Sequence, residues 1–307
     1  MFNRQSITTQ APRHPMADVH LTLRHERWAF RATGQGRLPE FAGSAWRGAF
    51  GHALKRTVCV MRLRPCAGCP LERSCIYPTL FEAAPDAEGE RLTALTRVAQ
   101  PYVLMPPPQG PRQVGPGDRL ELGVTLVGHA IQQRAYVSRA LETAAAIGIG
   151  GDRVGLEVAT CQAVPAEAAL PECDMIRLHL RTPLRLKVDG RLVTPASFRP
   201  RDLLMALLRR VSMLRAFHDG VPLALDFMAL KQAAEKLAWQ RCAVRWQDTA
   251  RYSTQQQAKL RMGGLVGEAT LDAAGAAPFR PFLALAPWIG VGKGASMGLG
   301  QVAVTAV

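Results

Sequence analysis

The chain is poor in aromatic residues, poor in acidic residues relative to basic ones, and free of long apolar runs, and each shortage narrows what it can be. Phenylalanine, tryptophan and tyrosine make up only 6% of 307 residues, which disfavours binding by successive bases stacked on rings against contact with phosphates and folded shape. No uninterrupted apolar stretch reaches the ~18 residues of a membrane span, and the segment Met1 to Val19 lacks the apolar core of a secretory signal. The expectation is a soluble, cytoplasmic protein with no membrane partner. Aspartate and glutamate number 24 against 38 lysines and arginines, a formal charge of +14, so the partner expected is a polyanion, with nucleic acid first.

Nucleotide-binding loops are missing as well. Trp288 to Val304 reads WIGVGKGASMGLGQVAV, but Lys293 is followed by Gly294 rather than Ser or Thr, and the stretch runs into a strand-like segment where a Walker loop would open a helix. A dinucleotide fingerprint fails for the same reason.

What is present is enough apolar residue, 48% of the chain, for two domains of ordinary size. Val19, Leu21 and Leu23 alternate as a strand does, and Gly43 to Val58 carries Trp46, Phe50, Ala53 and Leu54 as a helical stripe. Strand patterns at Tyr102 to Met105 and Leu120 to Val127, a helix from about Gln132 to Ile147 and a strand at Leu156 to Val164 complete a β-α-β-β-α-β order. The second half repeats it. A strand region spans Met175 to Val188, helices cover Asp202 to Phe217 and Leu223 to Trp239, strands Ala243 to Tyr252 and Arg261 to Leu271 follow, and a short helix at Pro281 to Trp288 precedes the final strand.

The expected fold class is therefore α+β, with two tandem ferredoxin-like domains at 1–165 and 172–307, joined by the Ala- and Pro-rich Pro165 to Pro171. Both halves place glycines between last helix and last strand, AIGIGGDRVGLEVA in the first and the loop 290–300 in the second. Such glycines serve a tight turn, or let a ligand approach main-chain N–H groups that donate to phosphate. The second copy, with Lys293 and five glycines, is the better functional loop, with Gly292, Lys293, Gly294, Ser296 and Gly298 as the candidate contacts to a nucleic-acid backbone.

Seven cysteines without an export signal read as thiols or metal ligands, not disulfides. Cys59, Cys66, Cys69 and Cys75 follow a C-x6-C-x2-C-x5-C spacing inside an insertion at about 59–80. Four thiolates suit a closed, structural zinc site, with an iron–sulfur cluster or unligated thiols as the alternatives.

The tandem ferredoxin-like order, the basic balance and the glycine loop resemble the RAMP superfamily of CRISPR-associated proteins, and within it the precursor-crRNA processing endoribonuclease. The segment RYSTQQQAKLRMGGLVGEATL followed by WIGVGKGASMGLGQV is similar to that family's basic hairpin and glycine loop, and RGAFGHALKRTVC with CAGCPLERSCIYPTLFE to its cysteine-containing branch. The resemblance implies cleavage of repeat RNA without a catalytic metal: the 2′-hydroxyl attacks the neighbouring phosphate, leaving a 2′,3′-cyclic phosphate and a 5′-hydroxyl. It also implies a catalytic histidine in or just after the first helix, which points to His52, with Lys293 and Arg47 as further catalytic candidates. The helical stripe turns His52, Lys55 and Arg56 away from Trp46, Phe50 and Leu54, so Lys55 and Arg56 are phosphate-binding candidates. Arg251, Ser253, Lys259 and Arg261 on the hairpin are candidate contacts to an RNA stem.

One departure stands out: Gly290 occupies the place where many relatives carry a histidine before the Gly-Lys-Gly segment. His20 and His25 are the fallback histidines. The expected partners are CRISPR repeat RNA and crRNA, and other effector-complex subunits. The competing readings are a crRNA-binding RAMP subunit that does not cut, and a metal-stabilised scaffold whose basic surface meets an acidic protein.

Overall fold

The computed structural model describes residues 19–61, 65–82, 98–108, 112–166, 169–253 and 258–307, with 250–253 and 258–261 described by backbone alone. In the first half, β1 (Leu23–Ala32) alternates, and its Trp28 and Phe30 turn inward. They meet Trp46, Phe50, Ala53 and Leu54 of α1 (Ala42–Val58), whose i, i+4, i+7, i+8 spacing makes one buried face. The strands β3 (Tyr102–Met105), β5 (Arg119–Val127) and β6 (Leu156–Val164) complete an antiparallel sheet in the order β3-β5-β1-β6. Leu120, Leu122, Val124 and Leu126 of β5 face the same core, closed by Val137, Leu141 and Ala144 of α2 (Arg134–Ile147). Two short strands the periodicity did not show, β2 (Gly36–Leu38) and β4 (Arg112–Val114), pair beside this sheet.

The second sheet repeats the order. β7 (Met175–Leu184), β10 (Arg241–Gln247), β13 (Gly264–Asp272) and β14 (Val302–Ala306) lie as β10-β13-β7-β14, so both halves have the antiparallel ferredoxin-like arrangement. A two-stranded pair, β8 (Lys187–Val188) and β9 (Arg191–Leu192), follows β7. The long helix α3 (Pro200–His218) buries Leu203, Leu207, Val211 and Leu214 on the sheet. α5 (Arg280–Ile289) is apolar nearly all round because it is enclosed by α3, β14 and the first domain's β3.

Three local expectations are corrected. β1 begins at Leu23, not Val19, because Leu21 is buried in the second domain's core and the chain there crosses between domains. The helix expected over 223–239 is only α4 (Phe227–Glu235), started where the Asp226 carboxylate accepts the Ala229 N–H at 2.9 Å. The strands expected at 243–252 and 261–271 each break in two, giving the separate hairpin β11 (Ala250–Ser253) and β12 (Ala258–Arg261). The break is built by Trp246, whose indole N–H donates to Asp248, and by Gly263, where any side chain would collide with that indole. Among the described residues no helix is long and apolar enough to cross a membrane.

Candidate functional site

The N-terminal end of α1 and the glycine loop are in contact across the domain boundary. A Cβ on Gly43 would strike the Met297 carbonyl, and Phe41, Met297 and Leu299 form a small buried cluster with Met262 packed on it. A cavity of about 340 Å³ opens beside this junction, lined in part by Ala42, Trp46, Pro106, Pro107 and Arg112.

The loop's five glycines all have positive φ. At Gly298 (φ 85°) the reason is visible: the chain turns against the Leu104 carbonyl and Pro106 of the first domain, leaving no room for a side chain. The Gly298 carbonyl accepts from Thr182 Oγ1 at 2.8 Å, and Gln301 Nε2 donates to the Pro106 carbonyl at 3.0 Å. Most loop N–H groups are spent inside the protein, Val291 on Gly300, Gly300 on Pro183 and Lys293 on the Arg185 carbonyl. No main-chain acceptor is found among the described residues for the N–H groups of Gly292 and Gly294. The Lys293 side chain is exposed at the tip, whereas Ser296 and Gly298 are buried, so the expected RNA contacts divide between an outer tip and an inner wedge.

His52 is exposed on the outer face of α1 with Arg56 beside it. From Gly43 to His52 is nine residues, about 13.5 Å along the helix axis. The segment Ile76 to Glu82 lies against the same helix: the Arg47 guanidinium sits 4.3 Å from the centre of the Phe81 ring, and Lys55 Nζ 5.2 Å from that of Tyr77. Gly51 lacks the side chain that would bar Phe81. Burial, aided at Tyr77 by Glu82 and Cys66, pushes the Tyr77 and Tyr102 phenols up to about 12, so both stay neutral at physiological pH. Arg47 is thus held in an aromatic seat, while His52 and Arg56 face solvent.

The hairpin pairs Arg251 with Leu260, Tyr252 with Lys259 and Ser253 with Ala258, and Arg261 with Ala250. The side chains of Arg251, Ser253, Lys259 and Arg261 lie outside the described residues. The hairpin's base is fixed by a residue that sequence reasoning missed: Arg185 donates through Nη1 to the Gly263 carbonyl at 2.6 Å, while its own carbonyl takes the Lys293 N–H at 2.9 Å. One residue after β7 therefore ties hairpin and glycine loop together. No local pattern marks it, because its partner is 78 positions away.

The fallback histidines are placed differently from each other. His20 is exposed. His25 is bonded to Thr125 Oγ1 at 2.9 Å and tilted against Trp288, ring centres 5.1 Å apart, between the first sheet and α5. Burial and the charge of Arg27 lower its pKa against the opposing pull of Glu26. Glu26 is itself buried and bridges Arg24 and Arg134; burial raises its carboxyl, but the hydrogen bonds from both guanidinium groups win and hold it below the usual carboxylate value.

At the cysteine insertion, Cys59 caps the end of α1 and the Cys69 N–H closes a turn on the Cys66 carbonyl. Burial, Glu82 and Cys59 raise the Cys66 thiol against the opposing effect of Lys55. Four thiols are a fitting donor set for zinc, yet among the described residues no three or more His, Cys, Asp or Glu side chains are gathered as a metal ion requires.

Comparison with known proteins agrees with this architecture. No curated protein matches the sequence at a significant level. Thermus thermophilus Cas6 in a product complex superposes with a TM-score of 0.60 at 20% identity, covering 92% of this chain and 100% of that one. A second structure of that protein gives 0.53 at 18%, covering 93% and 99%. A Cas6-RT-Cas1–Cas2 complex gives 0.58 at 13%, covering 94% of this chain and 47% of that one. Likenesses at these identities establish the fold. A family model described as an N-terminal domain matches residues 21–177, and that of the CRISPR-associated endoribonuclease Cas6 matches residues 178–302. The two models meet end to end across the tandem ferredoxin-like halves, and the second half is the part that matches the CRISPR-associated endoribonuclease Cas6 family.

Proposed function

We propose that the protein cuts CRISPR repeat RNA by internal attack of a ribose 2′-hydroxyl on the adjacent phosphate, without a metal ion in the reaction. The new 2′-oxygen–phosphorus bond forms as the bond to the leaving 5′-oxygen breaks, giving a 2′,3′-cyclic phosphate and a 5′-hydroxyl. His52 moves the proton, as base toward the 2′-hydroxyl or as acid toward the leaving oxygen. Lys55 and Arg56 hold the phosphate, and Lys293 with the uncommitted N–H groups of the loop tip takes the charge that develops nearby. Arg47 is the alternative cation. The hairpin residues Arg251, Ser253, Lys259 and Arg261 grip the stem.

The observation that carries the reading is an exposed histidine flanked by cations on the helix whose start is docked on the glycine loop. RNA lying along α1 then spans loop and His52 together. A labelled repeat hairpin incubated in EDTA tests it. Expected are one cut, a cyclic-phosphate end, no cut when the ribose at the scissile position is 2′-deoxy, and a loss of about 10²–10⁴-fold in rate with His52→Ala. Tight binding with no cut by the unaltered protein overturns the nuclease reading in favour of a crRNA-binding subunit.

Cys59, Cys66, Cys69 and Cys75 we assign to a structural zinc ion, with an iron–sulfur cluster as the alternative. Its chemistry is that of a thiolate-bound cross-link, which shapes the chain leaving α1 and takes no part in the cut.

A further inference from the structure

The second sheet has one face covered by α3 and α5 and the other open to solvent, and the open face is strongly basic. Along β7 the alternation buries Ile176, Leu178 and Leu180 and exposes Arg177, His179 and Arg181. Register carries the charge across the sheet: Arg241 of β10 pairs with Thr270, which pairs with Arg177, so the two arginines stand two strands apart, about 9.6 Å. Arg245, further along β10, is exposed as well. A shallow cavity of about 160 Å³ lies between them, lined by Arg177, Arg241, Glu268, Ala269 and Thr270.

Glu268 is the single carboxylate on these middle rows, and no ion pair within 4.0 Å is formed by Arg177, Arg181, Arg241 or Arg245 among the described residues. Elsewhere on the molecule exposed arginines do find carboxylates, as Arg31 with Glu157 and Arg201 with Glu235. A face that gathers four arginines around a single carboxylate keeps a net positive charge and is complementary to a polyanion. The row on β7 repeats every second residue, about 6.6 Å, which is comparable to the spacing of successive phosphates along an extended strand. The rows Arg177, His179, Arg181 and Arg241, Ala243, Arg245 carry no Phe, Tyr or Trp and a single imidazole, His179, so the face offers phosphate contacts rather than a run of rings for successive bases.

We infer that this open sheet face is a second RNA site, separate from the α1 and glycine-loop site, that holds single-stranded RNA by its phosphates and without regard to base sequence. It rests on the RNA-processing reading given above and extends it: the hairpin is gripped at the first site while the unpaired part of the transcript lies across β7, β13 and β10.

The test uses the full chain and two probes, a labelled 15-nucleotide oligouridine and a repeat hairpin trimmed of its single-stranded flanks. Arg177→Gln, Arg181→Gln and Arg241→Gln are combined. Expected are a drop of at least tenfold in oligouridine affinity and a fall of about 2 in the slope of log affinity against log salt, near 0.7 for each phosphate that is no longer neutralised. The trimmed hairpin should be bound and cut as by the unaltered protein. Unchanged oligouridine affinity and slope overturn the proposal, as does an equal loss for both probes. Should the triple variant not fold, cross-linking of 4-thiouridine-containing oligonucleotide to the unaltered protein decides: peptides of β7 or β10 support the site, and peptides confined to α1 and the loop refute it. Because oligouridine binding is read without cleavage, failure of the nuclease reading and failure of this site are distinguished.

Discussion

Gly43 and Met297 touch backbone to backbone, one in the first turn of α1 and the other in the glycine loop of the other domain. Nothing larger than hydrogen fits between them, so the seating of the loop on the helix depends on that one missing side chain. Gly43→Ala is expected to force the loop away at a cost of roughly 1–3 kcal/mol, typical of overpacking. The melting temperature should fall by a few degrees and single-turnover cleavage of a repeat hairpin should slow. Retention of both unaltered stability and unaltered rate would show that the junction is not rigid.

Arg185 links the hairpin to the loop through its side chain and its main chain at once. Arg185→Met removes the bond to Gly263 while leaving the carbonyl that holds Lys293. A charged hydrogen bond of this kind contributes about 1.5–3 kcal/mol, so RNA binding should weaken by roughly 10- to 100-fold, mostly in KM. Arg185→Lys should recover part of it. A change in kcat alone would place Arg185 in the chemistry instead.

His218 supplies a pH dependence. Its Nε2–H donates to the Ala99 carbonyl at 2.7 Å across the domain boundary, and its ring lies 4.9 Å from that of His129. Burial, with smaller contributions from His129 and Arg210, lowers its pKa to about 4. The folded state therefore favours the neutral ring: the stabilisation is complete above pH ~6.5 and is lost as pH falls toward 4, by about 3 kcal/mol. Thermal melts between pH 7 and 4.5 should show the loss, and His218→Gln, which keeps a donor without a titrating ring, should flatten it. A melting curve equally steep in the variant would assign the acid sensitivity to other groups.

For the cysteine insertion, the expectation is about one zinc per chain by elemental analysis, falling in Cys66→Ser and Cys69→Ser together with thermal stability. Cleavage of a repeat hairpin in EDTA should persist on the timescale over which the metal stays bound. Iron with visible absorption would replace zinc by a cluster, and neither metal would leave four free thiols.

Arg210 ties α3 to the end of α5. It is buried, its Nε donates to the Ile289 carbonyl at 2.9 Å, and burial lowers its pKa to about 10, so it remains charged at physiological pH. Arg210→Met should release that carbonyl just before Gly290 and slow cleavage. A variant with full activity and only a lower melting temperature would make the bond purely structural.

Much of this was legible along the chain because the signals are local. The stripe Trp46, Phe50, Ala53, Leu54 placed α1 correctly, Tyr102–Met105 and Leu156–Val164 matched strands residue for residue, and the glycine run announced its turn. The errors fell where a local pattern met a distant partner. Leu21 alternates like a strand residue yet belongs to the other domain's core, and the strand expected through Tyr252 is interrupted at Asp248 by an indole that needs the space at Gly263.

Periodicity and composition are properties of neighbouring residues, and they sufficed for the two ferredoxin-like halves, the basic charge, the glycine loop and the histidine on the outer face of α1. Only folding in three dimensions settled that the loop docks on Gly43, that Arg185 joins it to the hairpin and that His218 is buried at the boundary. It also settled that four arginines of β7 and β10 share one open face. Those facts depend on strand register and domain packing, which bring together residues with no pattern in common.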